Sequence, residues 1–318
     1  MDGIGIAPYP LPDKLVWDPF MQDRLAAHGI AESVSTTEFC WNYRRDNSSW
    51  RAQAGRVRGV LRSLGRAPDS RELKPVYPRA SWSAYFIWAP DGTIDEGHRF
   101  TLAKLRERDA GLLVIVASKS IEHIPSDVAD IADALWWKDL PGYDFSAYAI
   151  ALTEIANRSP GADVFVMNDS IFGPLFSVDP LLGASPWDLT AMTASSLFEN
   201  HVQSYAFHLR EFTPARLRRL RSVFFRRWSL SHFQDVVFLQ ETRLARVAAR
   251  NMTVGAWWWA EQRDGLDVSL RLPFELIEAG MPFLKRSLFG KWRGVQPTDK
   301  LRAVLHHYGH PITAGMAD

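Results

Sequence analysis

Gly111-Leu112-Leu113-Val114-Ile115-Val116-Ala117 and Val164-Phe165-Val166-Met167 are apolar without interruption. A short unbroken apolar run reads as a strand covered on both faces, which is how a parallel sheet uses its strands. Ala84-Tyr85-Phe86-Ile87-Trp88 and Ala134-Leu135-Trp136-Trp137 read as two more. Helical spacing is expected over 95–108, 127–134 and 143–158. This alternation predicts an α/β fold, a Rossmann-like, mostly parallel sheet flanked by helices. Ligands of such sheets bind beyond the carboxyl ends of the strands. The last run delivers Asn168-Asp169-Ser170 to that edge, and Gly173-Pro174 then turns the chain. A carboxylate there can hold a metal or a sugar; the same residues also suit a helix cap or a turn. The chain has no Gly-x-Gly-x-x-Gly motif and no P-loop, so the common dinucleotide and triphosphate readings lose support.

With 318 residues, 47% of them hydrophobic, the chain can bury one large core or two modest ones. A net charge of +1 argues against a nucleic-acid partner. The single cysteine, Cys40, excludes an internal disulfide and fits a reducing cytoplasm. The first residues lack the pattern of a secretory signal, and Ala256-Trp257-Trp258-Trp259-Ala260 is far short of the roughly 20 residues that span a bilayer. The expected location is cytoplasmic, with peripheral attachment at the inner face of the cell membrane left open.

Three parts are expected. Residues 1–80 read as a helical extension, with helices over 21–28 and 50–64, a C-cap at Gly29 and a linker over 65–78. Residues 81–180 carry the strand–helix alternation, and 181–318 are more irregular. In that last part, Phe198, Val202, Tyr205 and Leu209 space a helix within 195–210. Over 214–228, Leu217, Leu220, Phe224 and Trp228 share a helical face among Arg216, Arg218, Arg219, Arg221, Arg226 and Arg227. Such a helix either lays a solvated basic face over a core or meets anionic lipid headgroups. Another helix is expected over 234–251.

Four segments together resemble the rhamnan synthesis protein F family of bacterial polysaccharide glycosyltransferases. They are Gly142-Tyr143-Asp144-Phe145, then Met167-Asn168-Asp169-Ser170-Ile171-Phe172-Gly173-Pro174, then Leu189-Thr190-Ala191-Met192-Thr193 with His201-Val202-Gln203-Ser204-Tyr205, and last Gly280-Met281-Pro282-Phe283-Leu284-Lys285-Arg286. They span roughly residues 80 to 292 in the family's order. Around the first of them the chain departs from the family's pattern: Lys138-Asp139-Leu140-Pro141 precedes it and Ser146 follows. The resemblance implies an A-type glycosyltransferase fold, with 81–180 as the nucleotide-sugar half and 181–318 as the acceptor half. It implies transfer of a sugar, rhamnose from dTDP-rhamnose in the first instance, to a surface polysaccharide or lipopolysaccharide. The acceptor is then a glycan or a lipid-linked glycan. The alternative is a non-catalytic sugar-binding module on the same fold.

Sugar transfer builds negative charge on a leaving diphosphate and needs a base for the acceptor hydroxyl. By the resemblance, Asn168 and Asp169 stand where A-type enzymes carry their metal motif, so Asp169 with Mg²⁺ or Mn²⁺ is one way to neutralise the diphosphate. Lys285 and Arg286 are the other. Tyr143, Asp144 and Ser170 belong to the same donor motifs, and Asp144 also suits a helix cap. Asp91 can approach the base, or simply close a Pro-Asp-Gly turn. For the base, the resemblance favours Glu241 at the head of a helix, with Asp188 and His201 as rivals. Gln203 and Ser204 are expected to orient neighbours.

Overall fold

The structure is a computed structural model, and it describes residues 25–35, 61, 63–197, 200–260 and 266–312. Most of the helix expected over 50–64, all of 1–24, Cys40 and Phe198 lie outside the described residues. The N-terminal strands are β1 (Ile30–Ser35), β2 (Leu64–Arg66) and β3 (Ser70–Lys74). The alternating half follows as β4 (Ser81–Trp88), α1 (Glu96–Arg106), β5 (Gly111–Ala117), α2 (Ser126–Ile131), β6 (Ala134–Lys138), α3 (Tyr143–Arg158) and β7 (Ala162–Asn168). Next come β8 (Ile171–Phe172), α4 (Asp179–Ala184), β9 (Leu189–Ser195), β10 (His201–Val202), β11 (Ala206–Phe212), α5 (Pro214–Leu220) and β12 (Trp228–Leu230). The chain continues with α6 (Phe233–Val236), a π-helical turn (Val237–Glu241), α7 (Thr242–Ala248), β13 (Val254–Ala260), α8 (Val268–Arg271), α9 (Pro273–Glu278), β14 (Leu284–Lys285) and α10 (Thr298–His307).

The α/β class and the helix-flanked parallel centre are as expected. The main sheet runs β1-β13-β9-β11-β7-β4-β5-β6-β3, with β10 paired to β9. β7, β4, β5 and β6 are mutually parallel, β13 is parallel to β9, and β11 lies antiparallel between β7 and β9. Residues of β5 are buried throughout, because successive side chains point to opposite faces and both faces are covered. Trp82, Ala84 and Phe86 join α3, α5 and α7 in one core layer, while Tyr85 and Ile87 join α1 and α2 in the other.

The chain runs β4, β5, β6 outward and then returns to lay β7 against the other side of β4. The crossing helices change faces at the same point: α1 and α2 cover one side and α3 the other. Such a reversal opens a crevice at the carboxyl ends of the two strands that flank it, here β4 and β7.

Three local expectations change. The stretch read as a linker over 65–78 supplies β2 and β3, and β3 closes one edge of the main sheet against β6. The helix expected over 195–210 is instead β10 and β11; a strand buried on both sides, as Ala206, Phe207, His208 and Leu209 are, fits helical spacing equally well. The basic helix ends at Leu220. Val223 and Phe224 turn into the core, and Trp228 pairs with Arg66 in a two-stranded ribbon, so Trp228 shares no helical face with Leu217. No helix of the described residues is long and apolar enough to cross a membrane.

Candidate active site

The crevice between β4 and β7 gathers residues that are far apart in sequence. Asp169, just past the end of β7, accepts the backbone N–H of Trp88 at 2.7 Å and so ties the two strand ends together. β8 follows at once and pairs with β14, placing Phe172 opposite Leu284 and Ile171 opposite Lys285. The Arg286 N–H donates to the Ser170 carbonyl at 3.0 Å. Gly173 lies at φ +115°, and a side chain there would strike the Pro282 carbonyl, so only glycine lets the two segments meet this closely. The Asn-Asp-Ser and Lys-Arg segments are therefore one ribbon.

On that ribbon the two cations diverge. The Lys285 ammonium sits 3.7 Å from the centre of the Tyr205 ring. Burial lowers its pKa, and the negative charges of Asp267, Glu241 and Asp144 oppose that shift. Arg286 points the other way, to Asp95 at 2.9 Å, and stacks over Phe172 at 4.6 Å. Its Nε is buried with no hydrogen-bond partner among the described residues.

On the α3 side of the crevice the Asn168 amide donates to Asp144 at 2.8 Å. Asp144, in the first turn of α3, also accepts the Phe145 N–H at 3.0 Å. Burial, reinforced by the charge of Glu241, pushes the Asp144 pKa up to about 6. Glu241 is the last residue of the π-helical turn, partly buried, and accepts the Ser204 N–H at 3.1 Å. Such turns are frequent at functional sites, because the inserted residue rotates the side chains that follow it. Tyr148 donates to the Ser204 carbonyl at 3.0 Å, and Gln203 joins Thr193 to Asp267, reaching the latter at 2.9 Å. Gln203, Ser204 and Tyr205 thus hold Asp267, Glu241 and Lys285 in place. Lys138, fully buried at the end of β6, lies 5.5 Å from the Phe86 ring centre, and burial brings its pKa down to about 7.

On the α1 side, His98 stands between two carboxylates, 2.6 Å from Asp95 through Nδ1 and 3.5 Å from Asp169 through Nε2. Burial alone would lower the His98 pKa; hydrogen bonds to the Asp169 and Asp95 carboxylates outweigh it and raise it. Asp95 caps α1 and is held below the ordinary carboxylate range, since bonds from His98 and Arg286 overcome the cost of its burial.

The structure thus brings Asn168, Asp169, Ser170, Asp144, Glu241, Lys285 and Arg286 to one edge. Tyr143 borders it, exposed, with its ring 6.3 Å from Phe233. His201 is buried on β10, paired with Ser195 at the end of β9; it lies on a strand, where a helix was expected. Asp91 is exposed after β4 and accepts the Thr93 N–H at 3.0 Å, the bond of a turn-forming aspartate, which lowers its pKa.

Asp188 does not join them. It precedes Leu189, which pairs with Leu209 and through it is level with Val164, so it sits at the amino edge of the sheet. There it binds Arg216 at 2.7 Å and Thr253 at 2.8 Å, a structural tie between β9, α5 and β13. The crevice lies at the opposite edge.

A divalent ion finds few protein ligands here. Asn168 Oδ1 already accepts the N–H and O–H of Ser170, at 3.1 and 2.6 Å, leaving Asp169 as the one carboxylate of the motif. Among the described residues no group of three or more His, Cys, Asp or Glu side chains is placed to hold a metal.

Sequence reasoning missed His98, Asp95, Lys138 and Asp267. Asp95 and His98 carried a signal, since an aspartate three residues before a polar side chain marks a helix start. Lys138 was visible as the cation ending an apolar strand. Asp267 had no local signal.

No family model matches the chain, and no curated protein matches it. Among solved structures the chain is similar to 4-diphosphocytidyl-2C-methyl-D-erythritol synthase from Anaerococcus prevotii, with 11% identity over 56% of this chain and 86% of that one, at a TM-score of 0.33. It is also similar to a candidate nucleotide-diphospho-sugar transferase from Desulfovibrio desulfuricans, with 12% identity over 71% of this chain and 97% of that one, at a TM-score of 0.34. Likeness this distant does not carry an activity from those proteins to this one.

Proposed function

We propose that the protein is a glycosyltransferase that moves a sugar from a nucleotide diphosphate to a glycan or lipid-linked glycan acceptor. The first donor to test is dTDP-rhamnose, and the setting is synthesis of a surface polysaccharide or lipopolysaccharide. One observation carries the reading: the β8–β14 pairing sets Lys285 and Arg286 against the carboxyl ends of β4 and β7, beside partly buried carboxylates.

In this reading the diphosphate lies along the ribbon. Lys285 and Arg286 take up the charge that grows on it. Asp144 and Tyr143 border the nucleoside or sugar. Glu241 accepts the proton of the acceptor hydroxyl as that oxygen bonds to the anomeric carbon. The carbon–oxygen bond to the diphosphate breaks, its electron pair leaves with the phosphate, and a single displacement of this kind inverts the anomeric centre.

The test is a thermal-shift and calorimetric screen of nucleotide sugars with and without Mn²⁺, followed by product analysis with the donor that binds. Glu241→Gln is expected to keep donor affinity and lose transfer by at least about a hundredfold. A wild-type protein that binds a nucleotide sugar and transfers it to no acceptor is a binding module, and one that binds none refutes the proposal.

A further inference from the structure

Away from the crevice, Arg218, Arg219, Arg221 and Arg250 converge with Ala215 and Ser222 on an open cavity of about 560 Å³. Arg218 and Arg219 come from the last turn of α5, Arg221 follows it, and Arg250 follows α7. The cavity lies toward the amino edge of the sheet. α5 begins just after Phe212, which pairs with Ala162 at the start of β7, and Arg250 shortly precedes Val254, which pairs with Leu189.

What sets the cavity apart is the clustering of its charges, since Arg66, Arg71, Arg210, Arg227, Arg271 and Arg293 likewise lack a carboxylate partner among the described residues. Arg79, Arg99, Arg106, Arg108, Arg158, Arg216, Arg226 and Arg286 are each paired with a carboxylate. The four cavity arginines are exposed and have no such partner among the described residues, and no acidic side chain lines the cavity. Part of the explanation is local: basic residues in the last turn of a helix favour its negative end. That accounts for Arg218 and Arg219 singly. It does not account for four guanidinium groups facing one space, where like charges repel and each presents a planar fork of donors suited to phosphate oxygens. The chain as a whole carries a net charge of only +1, so the concentration is local.

We infer that this cavity is a binding site for a phosphate-bearing anion, separate from the proposed donor site and independent of that reading. Membrane headgroups and soluble phosphate share the recognised chemistry, and the experiment separates them. Full-length protein is sedimented with vesicles of phosphatidylcholine alone, and with vesicles of phosphatidylcholine mixed with an equal amount of phosphatidylglycerol. In parallel, its melting temperature is measured in inorganic phosphate and in sodium chloride of equal ionic strength. The same is done for the triple variant Arg218→Gln/Arg219→Gln/Arg250→Gln and for a charge-matched control, Lys291→Gln/Arg293→Gln/Lys300→Gln. Because the substituted side chains are exposed, both variants are expected to fold, which circular dichroism checks.

Binding to the phosphatidylglycerol vesicles that falls about tenfold or more in the triple variant alone, and weakens with salt, identifies the ligand as a lipid headgroup. A phosphate-dependent rise in melting temperature on the order of 2 °C, lost in the triple variant alone and without vesicle binding, identifies a soluble phosphate ligand. No response in either assay, or a response equal in the two variants, overturns the inference.

Discussion

The carboxylate of Asp169 receives the backbone N–H of Trp88 across 81 positions of sequence, at 2.7 Å. The bond closes the gap between β7 and β4 where the winding of the sheet reverses. Asp169 is therefore a strut of the crevice before it is anything else.

Removing that strut is expected to cost stability. Asp169→Ala should lower the free energy of unfolding by about 1 kcal/mol, the usual net worth of one hydrogen bond to a backbone N–H. Asp169→Asn keeps an acceptor oxygen and should recover most of the loss. Urea midpoints of the three proteins check this; an Asn variant as weak as the Ala variant would show that the charge, and with it the contact to His98, matters more than the Trp88 bond.

Asp144 should make stability fall as pH rises. Its folded pKa of about 6 exceeds the ordinary 3.8, so between those values the folded protein binds more protons than the unfolded chain. The penalty is absent below about pH 4, grows through that window and is complete above it, reaching at most roughly 3 kcal/mol. Asp144→Asn removes the titration while an amide can still face Asn168. Unfolding curves at intervals from acid to neutral pH should show the variant gaining on the wild type over that range.

His98 contributes with the opposite dependence. Its pKa is raised in the fold, so its stabilisation is fully present below the ordinary value of 6.5 and is lost as pH rises through the higher folded value. His98→Gln should cost about 1–2 kcal/mol in mildly acidic solution and less in alkaline solution. Proton NMR titration of the imidazole measures the pKa directly, and a value below that of a free histidine would contradict the arrangement with Asp95 and Asp169.

Lys285 and Tyr205 should be energetically coupled. A desolvated ammonium on an aromatic face is worth about 2 kcal/mol. In a double-mutant cycle, Lys285→Met and Tyr205→Leu should each destabilise the protein, and together cost less than the sum by about 1–2 kcal/mol. Additive effects would mean that Lys285 is held by Asp267, Glu241 and Asp144 alone.

The strands β5 and β7 and the helix α3 were legible in the chain because each is specified locally, by apolar continuity or by period. β11 was not. Val202, Tyr205 and Leu209 satisfy helical spacing, and only the presence of β7 and β9 on either side makes the segment a strand. The end of α5 was equally invisible, because Trp228 is drawn out of any helix by a partner, Arg66, that lies far back in the sequence. Glu241 was the favoured base and Asp188 a rival; strand register puts Asp188 at the amino edge, while the bond from the Ser204 N–H holds Glu241 at the crevice.

By itself the amino-acid sequence determined the α/β alternation and the edge to which Asn168, Asp169 and Ser170 are delivered, since hydrophobic period and turn residues act over short stretches of chain. The tertiary structure alone decided that Lys285 pairs beside them, that Asp144 and Glu241 share a field, and that His98 bridges two carboxylates. Those outcomes depend on strand order and burial. Both arise from contacts between segments that carry no local record of one another.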